Sequence, residues 1–423
     1  MATIDELIQK MPPETQEAFK IVWESLPVSQ RKDLLSLITS FPSDINLVRM
    51  LVNLSSVQLR HTFGQKHRVA IVGPANVGKS TLYNQLVQSK EDRAQVSPIP
   101  GTTRANQQAD AGLFAVIDTP GADAVGELGE AERDAAFQAA YGADFLIVVF
   151  DAIQGIKKTE LELFHELTVL DKPYLVVLNK VDLVRKDQRR AVEQAAASLR
   201  LEPEQVIPLV AKNGENLDKV VLGIAATEPS LMASLGQALP QYRWQLAWRS
   251  IVSAASISAA IALAPLPVID FAPLLVNQSV MVLGIARIYN YKINLERARE
   301  LVVTFGLGFL GRTLFAELSK LGGVPGWVLS AAIAASTTVV MGYAASVWFE
   351  RGQKVNRASL KQMTQEMTQY LLETLRELGK KKPTQESLQE RIAAALQRSP
   401  LSRDRAPLDE QAQAEEPKEP EEP

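Results

Sequence analysis

A lysine followed by a hydroxyl, set directly after a glycine-containing turn, is the arrangement in this chain that points most directly to chemistry. Gly73-Pro74-Ala75-Asn76-Val77-Gly78-Lys79-Ser80 can aim backbone N–H groups at one anion, while the lysine and the hydroxyl complete a pocket for phosphate and a divalent cation. In such a loop Lys79 reaches the β- and γ-phosphates of a nucleoside triphosphate and Ser80 holds Mg2+. Asn76, Val77, Gly78 and Thr81 supply further contacts. A glycine turn that binds nothing has the same local composition, and context separates the two. The apolar run Val69-Ala70-Ile71-Val72 precedes the loop and Thr81-Leu82-Tyr83-Asn84-Gln85-Leu86 follows it, which places the loop where a strand turns into a helix.

Four more stretches follow at the ends of apolar runs or in polar segments. Pro100-Gly101-Thr102-Thr103-Arg104 lies in a polar stretch, where a threonine can complete the Mg2+ shell once a γ-phosphate orders the loop. Ala115-Val116-Ile117 leads into Asp118-Thr119-Pro120-Gly121. The carboxylate there can reach Mg2+ through water, and the Gly121 N–H can sense the γ-phosphate. Leu175-Val176-Val177-Leu178 ends at Asn179-Lys180-Val181-Asp182. A carboxylate at that place accepts two hydrogen bonds from N1 and N2 of guanine, a pairing that adenine lacks, which makes Asp182 the specificity residue. Pro208-Leu209-Val210-Ala211-Lys212 ends another apolar run, and its backbone can contact the guanine oxygen through Ala211 and Lys212.

The elements that must carry these residues are legible as alternation. Strands are expected at 68–72, 113–117, 144–150, 174–179 and 206–210, and helices near 79–88, 131–141, 158–169, 187–199 and 216–225. That order implies an α/β domain, a mainly parallel sheet flanked by helices, with ligands at the carboxyl ends of the strands. Residues 1–66 read as helices, because Leu34, Leu35, Leu37 and Ile38, then Leu47, Met50, Leu51 and Leu54, recur at helical spacing. Residues 227–241 carry Pro229, Gly236 and Pro240 and read as a linker.

Taken together, the five motifs in this order resemble the Era and TrmE branch of the translation-factor-related GTPases, over residues 67–226. The resemblance implies a P-loop GTPase fold and GTP, GDP and Mg2+ as ligands. It assigns catalytic roles to Lys79, Thr103, Gly121 and Asn76, and metal contacts to Ser80, Thr103 and Asp118. Nucleotide contacts fall to Asn76, Val77, Gly78, Lys79, Ser80, Thr81, Asp118, Gly121, Asn179, Lys180, Asp182, Ala211 and Lys212. Three departures stand out. Only 14 residues lie between Thr103 and Asp118, Val210 stands where the family usually has serine, and the loop reads Gly-Pro-Ala-Asn rather than Gly-x-Pro-Asn. The residue after Gly121 is Ala122, which cannot orient water as the Ras-like glutamine does, so a slow intrinsic rate is expected. In this family an asparagine at the place of Asn76 can help bind K+ beside the phosphates, which implies stimulation by potassium.

Composition limits the partners. The chain has 423 residues and a net charge of −3, which argues against a broadly basic nucleic-acid binder. It contains no cysteine, so disulfides and thiolate metal sites are excluded. The start lacks a basic segment followed by an apolar core and does not read as a secretory signal.

Beyond residue 241 the pattern changes to an all-helical, hydrophobic domain over 242–352. Residues 250–269 and 321–349 hold no charge and are long enough to cross a hydrocarbon core of about 30 Å. Trp244 and Trp248 at one edge, and Trp348 with Arg351 at another, read as interfacial anchors. A buried bundle outside lipid is the rival reading, favoured by Ala and Ser over 253–264 and by Pro265, Pro267, Asp270, Asn277 and Gln278. This part also resembles an uncharacterised domain found C-terminal to Era-like GTPases and in some inner-membrane proteins. Residues 353–398 return to polar helix, with Met363, Met367, Tyr370, Leu371, Leu375 and Leu378 at helical spacing, and 399–423 read as a disordered acidic tail.

The sequence reading is thus a GTP-binding and GTP-hydrolysing switch at the cytoplasmic face of a membrane, with membrane lipid as a partner and nucleic acid not expected. A dynamin-like remodeller that forms a nucleotide-dependent dimer or larger assembly is one alternative. An Era-like RNA or ribosome assembly factor is another.

Overall fold

The computed structural model describes residues 16, 20, 23, 24 and 31, then 68–74, 76–87, 113–118, 137, 140–263, 272–291, 325–352, 355–376 and 383–402. Most of the expected N-terminal helices, the loop with Thr103, the segment with Gly121 and Ala122, the apolar segment 301–316 and the chain after residue 402 lie outside these residues. Two compact units emerge. One holds the described residues of Gly64–Val96 and Asn106–Arg243, and the other those of Met1–Phe63 and Trp244–Pro423.

The first unit is a five-stranded sheet in the order β2-β1-β3-β4-β5, in which all neighbours are parallel. Its strands are β1 (Val69–Gly73), β2 (Phe114–Asp118), β3 (Phe145–Asp151), β4 (Tyr174–Asn179) and β5 (Val206–Leu209). Between and after them run α1 (Lys79–Val87), α2 (Lys158–Val169), α3 (Gln188–Leu199) and α4 (Leu217–Thr227). The central strands are continuous apolar runs rather than alternating ones, because helices cover both faces. β1 and β3 are buried along their whole length, as parallel sheets require. Register then fixes function: Gly73 pairs with Asp118 and Asp151 pairs with Asn179, so the carboxyl ends of four strands lie along one edge.

The stretch 227–241, expected as a linker, is folded. Short 3-10 turns at Pro229–Leu231 and Pro240–Tyr242 flank α5 (Met232–Ala238), and Leu231, Met232, Leu235 and Leu239 are fully buried. The Pro229 turn and α5 pack on α4, and the Arg243 Nε donates to the Gly236 carbonyl at 2.8 Å. The prolines that read as breaks start 3-10 turns instead, where their missing N–H costs nothing.

The second unit is helical. It comprises α6 (Arg243–Ala262), α7 (Ala272–Ile288), α8 (Gly326–Arg351), α9 (Arg357–Arg376) and α10 (Gln385–Arg398). α8 is apolar all round and sits between α7 and α9, the position such a helix must take. It ends where Gly352 adopts φ 76° and donates its N–H to the Trp348 carbonyl, a left-handed stop that glycine supplies without strain. Gly342 lets α8 approach α6, since a Cβ there would lie 2.4 Å from Ile251 Cγ1. A polar cluster crosses this interior: Asn277 Nδ2 donates to the Ala254 carbonyl and Ser258 Oγ, Gln278 Nε2 donates to Thr338 Oγ1, and Thr338 Oγ1 lies 2.8 Å from Ser258 Oγ. Every one of these groups has a partner, as buried polar atoms must.

Three expectations for this unit change. The run 250–269 is not one helix, because α6 ends at Ala262; its uncharged part, Ser250 to Ala262, is about 20 Å long at 1.5 Å per residue. Trp248 is buried and Trp244 is half-buried against its neighbours, so the pair does not form an exposed belt. Their rings lie 5.7 Å apart, Trp244 stands edge-on to Tyr343, its Nε1 donates to the Leu401 carbonyl, and Trp248 is buried. Residues 400–402, expected within the tail, are folded, since Pro400–Ser402 forms a 3-10 turn with Leu401 buried.

Candidate nucleotide site

The phosphate loop is shaped by two glycines that no other residue can replace. Gly73 has φ 149°, and a Cβ on it would meet the Val149 carbonyl oxygen at 2.2 Å. Gly78 has φ 101°, and a Cβ there would lie 2.3 Å from Asn179 Nδ2. Such a backbone conformation and such close approach are what glycine allows. Between them Asn76 takes φ 62°, a left-handed corner that asparagine tolerates better than most residues. Lys79 opens α1 and is almost wholly buried, its Nζ donating to the Gly73 and Pro74 carbonyls at 2.8 and 2.7 Å. The ammonium is therefore drawn into the loop. Val77 is buried, while Ser80 and Thr81 on the first turn of α1 are exposed.

Asn179 ties this loop to the far side of the site. It is 3% exposed. Its Nδ2 donates to the Val77 carbonyl at 2.8 Å and its Oδ1 accepts from the Ala211 N–H at 2.9 Å. Lys180 follows with φ 64°, and its Nζ reaches the Asn76 carbonyl at 2.7 Å and Asp151 Oδ2 at 2.6 Å. The chain then runs through a 3-10 stretch, Val181–Asp187, that presents Asp182 half-buried. Arg185 pairs with Glu215 at 3.4 Å across the surface, a contact worth about 0–1 kcal/mol.

The 210–215 turn closes the other wall. Val210 exchanges backbone contact with Glu215, and Gly214 N–H returns to the Val210 carbonyl. Val210 lies in the apolar core beside Phe150, Leu178 and Val181, which gives a packing reason for an apolar residue where the resembled family usually has serine. Ala211, whose backbone is expected at the base, gives its N–H to Asn179 Oδ1. Gln85 of α1 donates to the Lys212 carbonyl at 3.1 Å, tying the helix to this turn.

The structure thus gathers Asn76, Val77, Gly78, Lys79, Asn179, Lys180, Ala211 and Lys212 into one network, with Ser80 and Thr81 next along α1 and Asp182 next after Lys180. It also sets the backbone of Asp118 beside Gly73. Thr103 and Gly121 fall outside the described residues. Two participants were missed from sequence, Asp151 and Gln85. Asp151 carried a readable signal, a carboxylate closing the apolar strand Phe145–Phe150, whereas Gln85 is one polar residue on a helix and carried none.

A guanine nucleotide with Mg2+ fits these residues. The loop is a cradle that a Cβ at Gly78 would obstruct, a buried lysine charges it, and a hydroxyl stands one residue further along the helix. Residues 68–180 match the family described as 50S ribosome-binding GTPase, and residues 229–376 match a family described as a domain of unknown function (DUF697). The tRNA modification GTPase MnmE of Thermotoga petrophila is 36% identical over 162 residues, 36% of this chain and 34% of that protein. GTPase Der of Psychrobacter cryohalolentis is 32% identical over 170 residues, covering 38% and 34% of the two chains. Among solved structures, Aquifex aeolicus Era bound to GDP and aluminium fluoride shares 27% identity over 48% of this chain and 69% of that one, with a TM-score of 0.30. The chain spans about a third of the length of the curated relatives it matches. Its first unit is a P-loop GTPase domain of the Era, MnmE and Der type, and it is joined to a helical domain whose family has no known function.

Proposed function

We propose that this chain is a GTP-hydrolysing switch whose helical unit seats it at the cytoplasmic face of a membrane. The observation that carries the nucleotide reading is the Asn179–Lys180 network, because it locks the phosphate loop and the 210–215 turn into one frame and leaves Asp182 at its edge. In that frame Lys79 neutralises charge on the β- and γ-phosphates, and Asp182 takes N1 and N2 of guanine. Ser80, Thr103 and Asp118 are the residues that would hold Mg2+, which when bound would neutralise phosphate charge. Gly121 offers its N–H to the γ-phosphate, so the segment around it reports the nucleotide state. Ala122 brings no group to the attacking water, and the intrinsic rate is slow. Exchange of Na+ for K+ at matched ionic strength tests Asn76, a faster rate in K+ being the expected result and equal rates leaving Asn76 the left-handed corner alone.

The membrane part rests on α8. It is 26 residues long, about 39 Å at 1.5 Å per residue, and it is the described helix long and apolar enough to cross a membrane. A second reading, a packed bundle outside lipid, is favoured by the burial of 89% of its most apolar window. Carbonate washing of membranes from cells expressing the full chain separates the two. Retention in the pellet supports insertion, and a defined soluble species that ignores liposomes makes the helical unit a protein-interaction domain.

A further inference from the structure

Asp151 is the last residue of β3 and is 3% exposed. Both of its oxygens are engaged: Oδ1 accepts the Ile153 N–H at 2.7 Å, and Oδ2 meets Lys180 Nζ at 2.6 Å. The same ammonium donates to the Asn76 carbonyl at 2.7 Å. Asn76 and Lys180 both stand in the left-handed region, at φ 62° and 64°, so two sharp corners from separate loops are joined through one cation. A lysine that is 30% exposed has solvent as an alternative partner, and a buried carboxylate beside it is what keeps it turned inward.

We propose that Asp151 is a positioning residue for nucleotide retention, holding the Lys180 ammonium on the Asn76 carbonyl and thereby fixing the corner of the phosphate loop against the strand that leads to Asp182. This rests on the guanine-nucleotide reading of the site. A purely local role is the competing account, in which Asp151 serves only the turn closed by Ile153. The two separate on chemistry, because an asparagine keeps an oxygen for the Ile153 N–H but carries no charge for Lys180.

The test uses the full chain loaded with mant-GDP and chased with unlabelled GDP. Asp151→Asn should release the label about tenfold faster than wild type, the size of one lost charge-assisted hydrogen bond, while the melting temperature without nucleotide stays near that of wild type. Lys180→Ala should accelerate release to a similar degree, and adding Asp151→Asn to it should change little, since both remove the same link. Release from Asp151→Asn within twofold of wild type overturns the proposal, as does a full additional effect in the Lys180→Ala background. A nucleotide-free melting temperature for Asp151→Asn as low as that of Asp151→Ala shows that the charge pair holds the fold itself rather than the nucleotide, and also overturns it. Failure of wild type itself to retain mant-GDP counts instead against the nucleotide reading.

Discussion

Asn179 shows how one buried amide can tie two loops of a site together. Its two polar atoms hold the Val77 carbonyl and the Ala211 N–H, so the phosphate side and the base side cannot move independently. Gly78 is the other half of that contact. Gly78→Ala places a methyl within 2.3 Å of the Asn179 amide at φ 101°, and it should cost about 1–3 kcal/mol of stability from backbone strain alone, read by denaturant unfolding, together with weaker mant-GDP binding. Asp182 should behave differently. It is half-buried and makes no hydrogen bond among the described residues, so Asp182→Asn should leave folding intact and weaken GDP binding by about 2–5 kcal/mol. Titration with labelled GDP and ADP checks this, and tight ADP binding by wild type would defeat the specificity assignment.

At the level of elements, the sheet and the helical unit use close approach in different ways. In the sheet, register delivers four strand ends to one edge, and loops do the chemistry. In the helical unit, small residues bring α8 against α6, and the contact is packing. Gly342→Ala puts a Cβ 2.4 Å from Ile251 Cγ1 and should destabilise the unit by about 1–3 kcal/mol through overpacking. Adding Ile251→Ala removes the clashing atoms, so the double variant should be less destabilised than the two single costs summed, measured by a double-variant cycle of unfolding. Simple addition of the two costs would show that the helices separate freely at that point.

For the whole molecule, the boundary between units determines which fragments stand alone. The first unit runs to Arg243, not to the end of α4. A fragment of residues 64–243 should therefore be soluble and bind mant-GDP, while 64–228 lacks Leu231, Met232, Leu235 and Leu239, each worth about 1.5–3 kcal/mol when buried, and should melt at a lower temperature. Equal melting temperatures would mean that 229–243 adds nothing to the first unit. Tyr242 adds a pH signature. Burial first, and the Asp218 carboxylate second, raise its phenol above 10.0. A raised folded value means that the contribution is complete below pH 10 and is lost as pH rises through the folded value. Alkaline unfolding of the full chain should start no nearer neutral pH in Tyr242→Phe than in wild type, and the variant should lack the Tyr242 part of the alkaline titration.

Much of this molecule was written in local pattern. Apolar runs closed by Gly73, Asp118, Asn179 and Val210 gave strand positions within one residue, because a strand buried on both faces has no polar positions to blur it. The phosphate loop was equally plain, since only glycine, lysine and a hydroxyl in that order can cradle and charge an anion. Other features depended on partners distant in sequence. The linker became α5 and two turns because its leucines find a buried place, and of the tryptophans that looked like membrane anchors Trp248 is buried while Trp244 rests against Tyr343 and Leu401. The bridge that the Asn179 amide makes between Val77 and Ala211, 102 and 32 residues away, was not legible in its motif. Asp151 gained a role only when parallel pairing set it beside Asn179 and brought the Lys180 ammonium within 2.6 Å. Residue types and spacing determined which chemistry was available, and tertiary pairing decided which side chains hold the frame and which are left to meet a ligand.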